Sequence, residues 1–584
     1  MEYQQLRVIL IGLFSLLRVT TPVFAHSDNL IVNGDFEEGF HSNGLAKAWV
    51  DDSRWAPVKV LYEKDSTTPH SGKACQKIIS KSYLGGSVQF RQNRIKIINS
   101  NLYNISLWMK GTVTSPVSIG IRKSRSPYHK YIYKIFNATQ TWQKFEFQDI
   151  AFTSDEDAIF HIVFSSEGEL FIDDVALYEI GEQKKNPYIF LEPPDTQIPH
   201  NYFGMHIHRY YWNPRFKNNW PRVPFGTWRT HDSNVQWSKI EPSPKKYVFN
   251  ILDEYVERAN REGIEILYNF VHTPDWASSC KHIVGTSIFP NKKKKPRSCP
   301  PVNIDDWISF VRVVAQRYKG KIKYYEIWNE PNSLNFWQGS IEELIALQKA
   351  AYTILKEVDP NVQVVSPSVV KQPLYFAQML EAGFDQYADI IGYHFYTQPS
   401  MPEMMIPDIQ RIKRILNENG IDKPLWNTEA GWKVKLPDPI ARKGIDIETA
   451  GKYLARSLII QWASGIDRFY FYAYDDRIMG IFDQFNNQLY PNATPYITTH
   501  GWLAGSTMHS LSATKDNTWT SLLSMHGGQK AAIIWNPFKN MEYIPPKTWQ
   551  IEEIETLYGE RIKPGLKLWI SDAPILIRYR VQTH

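Results

Sequence analysis

Two patterns of hydrophobic and polar residues divide this chain. From about Asn29 to Glu182, stretches such as "NISLWMKG" and "AIFHIVFSS" alternate apolar and polar residues, and Gly, Ser, Asn or Pro residues separate them. Alternation with a period of two indicates strands that bury one face. Because no amphipathic helix interrupts these stretches, the pattern predicts an N-terminal β-sandwich of jelly-roll-like form.

The pattern changes after "EQKKNPYIFLEPP", a polar stretch with prolines that we interpret as a linker. Strand-like runs then alternate with amphipathic helical runs such as "IDDWISFVRVVAQRY", which predicts a central (β/α)8 TIM barrel. A doubly wound open sheet is the alternative, but the count of eight strands and the lack of a Gly-rich phosphate loop disfavour it. In chain order the strand-like runs are "YFGMHIH", "PFGTWRTHD", "IEILYNFVHTP", "IKYYEIWNEPN", "VQVVSPSVV", "DIIGYHFY", "PLWNTEAGW" and "DRFYFYAYDD".

The tail returns to short strand-like runs, among them "KAAIIWNP" and "ILIRYRV", and predicts a small C-terminal β-domain. The predicted organisation is therefore multidomain. Its parts are a signal peptide at 1–25, the sandwich at 26–182, the linker at 183–198, the barrel at 199–510 and the C-terminal β-domain at 511–584.

The N-terminus has the pattern of an export signal. Arg7 precedes an apolar run from Val8 to Leu17, and the small residue Ala25 ends "VFA". A run of this length is too short to span a bilayer comfortably, so an uncleaved anchor is the lesser alternative. We therefore expect a secreted or periplasmic/extracellular protein, with no membrane span after cleavage and a monomer as the default state.

Export to an oxidising compartment gives a context for the three cysteines. Cys280 and Cys299 bracket the loop that contains the lysine run Lys292–Lys295, and we expect them to form a disulfide. Cys75 lies in an alternating stretch, so we expect a buried free thiol there. The sequence alone leaves other pairings open.

Composition adds a candidate ligand. Aromatic residues make up 14% of the 584 residues and include 20 Trp, more than core packing needs. Flat aromatic faces stack on sugar rings, so carbohydrate is one interpretation, and large cores with Trp-rich loops is the other. The formal charge of +6 is weak for this length and the lysine run is typical of a solvated loop, so we expect no nucleic-acid partner.

Two of the predicted strands end in a carboxylate. Glu330 ends the fourth run, where a proline stops the strand, and Glu429 ends the seventh. In such barrels the active site lies at the C-terminal ends of the strands, and the fourth and seventh strands face each other across the mouth. Two carboxylates that converge from opposite sides are what glycoside hydrolysis requires.

Other polar side chains lie at the predicted strand ends and are candidate substrate-binding residues. They are Arg229 on the second strand, His272 on the third, Asn329 on the fourth, His394 and Tyr396 on the sixth, and Tyr474 on the eighth. A cation, imidazoles, an amide and phenols around two carboxylates form an environment that binds sugars and shifts pKa values.

Together, "WNEPN" and "NTEAGW" resemble the large clan of retaining (β/α)8 glycoside hydrolases, and the chain is most similar to its β-xylosidase-like and cellulase-like members. The resemblance covers residues from about Pro199 to Ser506. It implies that Glu330 is the general acid/base and Glu429 the nucleophile. The other roles that it implies are a bond from Asn329 to the sugar 2-hydroxyl, bonds from Arg229 and Tyr396 that keep Glu429 ionised, and a sugar subsite lined by His272 and His394. The clan usually has a Trp platform on strand eight, where this chain has "YFYAYDD", and we expect Tyr474 in that place.

The sandwich resembles a family of secreted carbohydrate-binding modules through "NLIVNGDFEEGF" at its start and "LFIDDVALYEI" at its end. In that family a structural calcium often joins the first and last strands, and Glu37 and Asp173 are the matching side chains. Trp55, Tyr128 and Tyr131 are candidate sugar platforms, with core or loop aromatics as the other interpretation.

Two rival functions are weighed against a retaining β-glycosidase that acts on a polysaccharide or oligosaccharide and needs no catalytic cofactor. A metal-dependent barrel hydrolase could bind zinc through His206, His208, Glu330, His394 and Asp475, although the fifth strand offers no ligand. A secreted glycan-binding protein without activity is the second rival, and the presence of both glutamates disfavours it.

Overall fold

The computed structural model describes residues 28–98, 101–125, 128, 130–151, 154–182, 189–210, 220–280, 296–436, 441–563 and 567–582. The predicted signal peptide and the lysine run Lys292–Lys295 lie outside these ranges. Within the ranges, no helix has the length and apolar character needed to cross a membrane.

The N-terminal part is a sandwich of two five-stranded antiparallel sheets, and its inward faces form one apolar core around residues such as Phe90, Ile105 and Ile162. The strands are β1 (Val50–Asp51), β2 (Val58–Asp65), β3 (Cys75–Tyr83), β4 (Val88–Ile97), β5 (Asn101–Gly111), β6 (Val117–Lys123), β7 (Lys130–Phe136), β8 (Gln143–Ile150), β9 (Asp155–Phe164) and β10 (Gly168–Glu182). One sheet has the order β1-β4-β9-β6-β7 and the other the order β2-β3-β10-β5-β8.

Short parallel strands form the wall of a TIM-like barrel, and each of the eight strand-like runs predicted for the barrel contributes to it. Before the barrel, β11 (Ile189–Leu191) forms within the stretch predicted as a linker. The wall strands are β12 (Phe203–His206), β13 (Thr227–Arg229), β14 (Glu265–Phe270), β15 (Tyr324–Ile327), β16 (Gln363–Val365), β17 (Val369–Val370), β18 (Ile391–His394), β19 (Leu425–Ala430) and β20 (Arg468–Phe471). Both β16 and β17 come from the fifth run, and a parallel bridge between Val365 and Ile390 joins the two ends of the wall.

Helices pack their apolar faces on the outside of this wall. Local sequence sets their ends: Ser340 and Glu343 form a reciprocal capping box at the start of the fourth helix. The helices are α1 (Trp237–Ile240), α2 (Asn250–Arg261), α3 (Ile304–Arg317), α4 (Ile341–Val358), α5 (Pro373–Glu381), α6 (Met405–Glu418), α7 (Ile447–Ala463) and α8 (Ala493–Leu503).

The tail forms a seven-stranded sheet that shares its core with the barrel. Before it, β21 (Phe482–Asp483) and β22 (Gln488–Leu489) form a small hairpin. The later strands are β23 (Thr507–Ala513), β24 (Trp519–Ser524), β25 (Lys530–Trp535), β26 (Met541–Tyr543), β27 (Trp549–Thr556), β28 (Arg561–Ile562), β29 (Leu568–Ile570) and β30 (Ile575–Val581). The sheet order is β11-β23-β24-β25-β30-β27-β28, so part of the predicted linker pairs with the tail. Trp535 also donates to Glu403 of the barrel across 2.9 Å, and a separate C-terminal domain with its own boundary stays a prediction.

Helix α6 covers part of the outward face of one sandwich sheet. The Arg411 guanidinium lies 4.6 Å from the centre of the Tyr133 ring, and Lys134 pairs with Glu418 at 3.5 Å. Tyr133 and its neighbour His161 are only 1% and 2% exposed. The sandwich therefore packs on the barrel through a sheet face that the sequence alone would leave open to solvent.

Candidate active site

The two predicted carboxylates meet at the mouth of the barrel. Glu330 follows β15 and Glu429 lies near the end of β19. One oxygen of each carboxylate and one ring nitrogen of His394 lie within 4.8 Å of one another. Carboxyl groups about 5–5.5 Å apart are typical of retaining glycosidases, whereas inverting enzymes separate them by about 6.5–9.5 Å. A closest approach of at most 4.8 Å between the two carboxylates is compatible with the shorter class.

Left-handed backbone conformations recur at the same mouth, as they also do in other parts of the described chain. Residues after successive strands have left-handed conformations: φ is 63° at Asp232, 68° at His272, 65° at Trp328, 40° at Glu330 and 54° at Lys371. Residues other than glycine rarely adopt such conformations, and those that do cluster at functional sites. The backbone at the strand ends thus points to the same end of the barrel as the two carboxylates.

Arg229 is the hub of the site. Its side chain is fully buried, and it donates through Nη1 to Glu429 at 2.8 Å, through Nη2 to Asn329 at 2.7 Å and through Nε to Glu326 at 2.6 Å. Because the Asn329 oxygen accepts from Arg229, its amide nitrogen is the group that can donate to a sugar hydroxyl. Tyr396 gives Glu429 a second donor, since its phenol lies 2.8 Å from Oε1.

Glu330 has a different environment from Glu429. Its Oε1 lies 3.0 Å from Nδ1 of His394. Burial raises the pKa of Glu330 from 4.5 to about 7, despite the opposing effect of His231 and Arg229. Burial also lowers the pKa of His394 from 6.5 to about 4. A carboxyl group of this kind holds a proton near neutral pH, as a general acid must.

The structure corrects the residue predicted for the eighth strand. Tyr474 is fully buried, stacks on Phe482 with ring centroids 4.8 Å apart, and accepts from the backbone of Arg222. Tyr472 occupies the mouth instead, where its phenol donates to Asp232 across 3.0 Å. The physical reason is that the regular pairing of β20 ends at Phe471, so the alternation of faces is not kept as far as Tyr474, although its amide still donates to the carbonyl of His206 at 2.9 Å.

His272 lies on the wall of the mouth, as the sequence predicted for the end of the third strand. It is 5% exposed, and its ring lies parallel to Phe336 with centroids 6.4 Å apart. His231, from the end of the second strand, lies 6.2 Å away and bonds to Asn269 through Nδ1 at 2.9 Å. Imidazole and aromatic faces therefore line one side of the space next to the carboxylates.

Several buried polar residues of the site were missed by sequence reasoning. Glu326 accepts bonds from Arg229, Asn269 and Ser368, and Thr428 bonds to both Ser368 and His394. A charged residue inside the apolar strand run "YYEIW" was the available signal for Glu326. The two hydroxyl residues gave no comparable signal, because Ser and Thr are common throughout the chain.

The zinc ligands of the rival interpretation do not assemble. His206 bonds through Nε2 to the carbonyl of Thr428 at 3.0 Å, and Asp475 accepts from the backbone amides of His208 and Arg209 at 2.8 Å. In the described ranges, the group with metal-like spacing is the one formed by Glu330, His394 and Glu429. A metal there would lie beside the buried guanidinium of Arg229, which disfavours a second cation.

The side chains predicted for calcium in the sandwich contact one loop. Glu37 accepts from the backbone amides of Lys73 and Ala74, and Asp173 from those of His70 and Ser71. The structure thus brings the two carboxylates to the same turn, and the calcium itself stays a prediction.

Of the three candidate platforms on the sandwich, Trp55 and Tyr128 are 58% and 54% exposed. Tyr131 is 5% exposed and donates to Asp155 at 2.8 Å, so the other interpretation, a core aromatic, holds for it. Its position in the strand turns the ring into the packed interior.

The cysteines pair as predicted. Cys280 and Cys299 form a disulfide with Cα atoms 5.9 Å apart, and Cys75 is a buried free thiol. Thr273, which follows His272, donates to the carbonyl of Cys299 at 2.6 Å. The disulfide therefore anchors the end of the loop after the third strand close to the mouth.

Family models match both parts of this architecture. The model "Carbohydrate binding domain" matches residues 28–168, and the model "Glycosyl hydrolases family 39" matches residues 295–474, which include both glutamates. The barrel carries a glycoside hydrolase domain. The matches confirm the resemblance to the retaining glycoside hydrolase clan and, for the sandwich, to a carbohydrate-binding module.

Two known proteins extend this comparison. A β-xylosidase of Geobacillus stearothermophilus is 21% identical over 285 residues, which cover 41% of this chain and 53% of the relative. The match therefore spans about half of that relative's length. The solved structure of a family 39 glycoside hydrolase from the gut symbiont Bacteroides cellulosilyticus WH2 covers 84% of this chain and 97% of its own, with 15% identity and a TM-score of 0.52. At that identity the likeness shows a shared fold.

Proposed function

We propose that the protein is a retaining β-glycosidase that hydrolyses O-glycosidic bonds in a polysaccharide or oligosaccharide. The observation that carries the proposal is the convergence of Glu330 and Glu429, with one oxygen of each within 4.8 Å. An inverting enzyme needs a wider gap, because it places the attacking water between its two carboxyl groups.

The environments of the two carboxylates support different roles. Glu429 accepts from Arg229 and Tyr396, which orient its oxygens and favour the ionised form that attacks the anomeric carbon. Glu330, with its pKa raised to about 7 by burial, gives its proton to the leaving oxygen. After the leaving group departs, Glu330 takes a proton from water, and that water releases the sugar from Glu429.

The remaining groups position the sugar. The amide nitrogen of Asn329 donates to the 2-hydroxyl, a contact that strengthens as the transition state forms. His272 and Tyr472 line the mouth, where Tyr472 and Asp232 can exchange hydrogen bonds with ring hydroxyls.

Export and glycan size belong to the same proposal. The N-terminal pattern supports export, and the sandwich supports a polymeric glycan because Trp55 and Tyr128 expose their rings. A structural calcium at Glu37 and Asp173 would stabilise the sandwich, and the proposed reaction draws on no metal or cofactor. The curated relative is named a β-xylosidase, so β-xylosides are the first substrates to test.

The test is a panel of plant and microbial glycans together with aryl β-glycosides, with products followed by NMR from the first minutes. We expect the β-anomer of the released sugar to appear first and to mutarotate later. Initial release of the α-anomer would show inversion and remove Glu429 as nucleophile. Glycan binding without any hydrolysis would favour the non-catalytic rival.

A further inference from the structure

A chain of hydrogen bonds below the mouth leads from Glu330 to a third, fully buried carboxylate. Glu330 Oε1 lies 3.0 Å from His394 Nδ1, and His394 Nε2 lies 3.0 Å from Thr428 Oγ1. Thr428 Oγ1 lies 2.7 Å from Ser368 Oγ, and Ser368 Oγ lies 2.6 Å from Glu326 Oε1. Except for Glu330, all of these residues are fully buried, so water does not compete for the bonds.

The far end of the chain fixes the direction of its donors. Glu326 forms an ion pair with Arg229, with Nε 2.6 Å from Oε2, and the same oxygen accepts from Asn269 at 2.9 Å. An ionised carboxylate only accepts hydrogen bonds. The hydroxyl of Ser368 must therefore donate its single proton to Glu326.

The donor and acceptor of each remaining hydrogen bond then follow in turn. Because the Ser368 proton is used, Thr428 must donate to Ser368. Because the Thr428 proton is then used, Nε2 of His394 must carry a proton and donate to Thr428. A neutral imidazole protonated at Nε2 presents a bare lone pair at Nδ1, and that lone pair faces Glu330. Glu330 can complete the bond only by carrying the proton itself.

We propose that Glu326, Ser368 and Thr428 are positioning residues that hold His394 in its Nε2–H tautomer and so keep the catalytic proton on Glu330. The role of Glu330 as the acid rests on the proposed function, whereas the proton on Nε2 of His394 follows from the hydrogen bonds alone. The opposite tautomer would place a proton on Nδ1, where it would donate to ionised Glu330 and stabilise the form that cannot act as an acid.

The charges around Glu330 act in both directions. Arg229 from β13, His231 after it and Lys371 after β17 all favour the ionised form, whereas Asp232 and the neighbouring carboxylate of Glu429 on β19 favour the protonated one. Burial is the main cause that raises the pKa of Glu330, and the lowered pKa of His394 agrees with a neutral ring. The hydroxyl chain adds a directional constraint that burial by itself does not provide.

The first test replaces Thr428 by Val, which keeps the shape and removes the hydroxyl, with Thr428→Ser as the matched control that retains it. The readout is the pH dependence of kcat/KM on an aryl β-glycoside with a poor leaving group, which needs acid catalysis. The alkaline limb reports the acid of the free enzyme. We expect Thr428→Val to move this limb to lower pH by about one unit, whereas Thr428→Ser keeps the wild-type limb.

A second variant keeps the series of hydrogen bonds but reverses the direction in which each bond is donated. In Glu326→Gln the amide oxygen is needed by Arg229, so the amide nitrogen faces Ser368 and donates to it. Ser368 then donates to Thr428, Thr428 to Nε2, and Nδ1–H to Glu330. We expect the same downward shift of the alkaline limb, with Glu326→Asp as a control that keeps an acceptor at this end.

An infrared titration separates this inference from the proposed function. The carboxylic acid band of Glu330, identified by its loss in Glu330→Gln, is followed against pH without any turnover. The band should disappear at lower pH in Thr428→Val than in wild type or Thr428→Ser, whether or not a glycoside is hydrolysed. Identical titrations in wild type and Thr428→Val would overturn the inference, even if the variant lost activity. Failure of wild type to hydrolyse any glycoside would count against the proposed function alone.

Discussion

Arg229 donates to Glu429 across 2.8 Å, although the two residues lie 200 positions apart in the chain. The bond joins the ends of the second and seventh barrel strands below the mouth. It leaves the carboxylate with its other oxygen turned to Tyr396. The proposed nucleophile is thus oriented from both sides before any substrate arrives, which reduces the reorganisation that the reaction requires.

Removing the second donor tests this arrangement. Tyr396→Phe deletes the hydroxyl that bonds to Glu429, and hydrogen bonds to charged groups contribute about 1.5–3 kcal/mol. We expect kcat/KM to fall by roughly 10- to 100-fold, with little change in thermal stability because the ring still packs. Tyr474→Phe is the matched control: it removes a phenol that lies away from the mouth and should retain activity. Equal losses of kcat/KM in both variants would contradict the conclusion that Tyr472, and not Tyr474, lies at the mouth.

Arg229 should matter for folding as well as for catalysis. Arg229→Met leaves Glu326 and Glu429 buried without their cation, and breaking a buried ion pair in this way costs about 3–5 kcal/mol. Denaturation in urea should show this loss of unfolding free energy. Arg229→Lys keeps the charge but cannot reach three acceptors at once, so an intermediate loss is expected. An Arg229→Met variant with the same free energy of unfolding as wild type would show that Arg229 does not stabilise the fold.

The buried acid predicts a specific dependence of stability on pH. The pKa of Glu330 is raised from 4.5 to about 7 in the folded protein, so between these values the folded state binds more protons than the unfolded state. Its contribution to stability is therefore present below about pH 4.5 and is lost as pH rises through about 7. The loss is on the order of 3 kcal/mol at full extent. Glu330→Gln, which cannot ionise, should gain stability relative to wild type at pH 8 but not at pH 4, as measured by thermal unfolding.

The disulfide should stabilise the folded protein. A bond that closes a loop of this size typically contributes about 2–4 kcal/mol, so Cys280→Ser with Cys299→Ser should lower the Tm by several degrees. A reductant should lower the Tm of wild type to a similar degree and leave the double variant unchanged. Cys75→Ala controls for the free thiol, since its response to reductant should match that of wild type.

Much of the site follows from the sequence, and the exceptions have a physical reason. Strand alternation placed Glu330 and Glu429 at strand ends, and barrel geometry then placed them opposite each other. The eighth run "YFYAYDD" has tyrosines at positions 470, 472 and 474, which share one parity. Alternation alone does not say where the strand ends, so it could not separate Tyr472 from Tyr474.

The hydroxyl chain shows a second kind of gap. Ser368 and Thr428 lie on different strands and acquire a function only because folding brings them within 2.7 Å of each other. The burial of Tyr133 and His161 under helix α6 was missed for the same reason, because it depends on how the sandwich and the barrel pack against each other. Pattern and motif locate elements and their ends, whereas contacts between elements require the three-dimensional structure.

The central claim is the division of roles between the two glutamates, and azide rescue of the truncated enzymes measures it most directly. With an activated aryl β-glycoside, Glu330→Ala should still form the glycosyl-enzyme, because a good leaving group needs no acid, and azide should release a β-glycosyl azide. Glu429→Ala should form no covalent intermediate, and azide should give the α-glycosyl azide. If each variant gave the other's anomer, the roles of Glu330 and Glu429 would be reversed, and wild-type activity in both variants would contradict a glycosidase site at these residues.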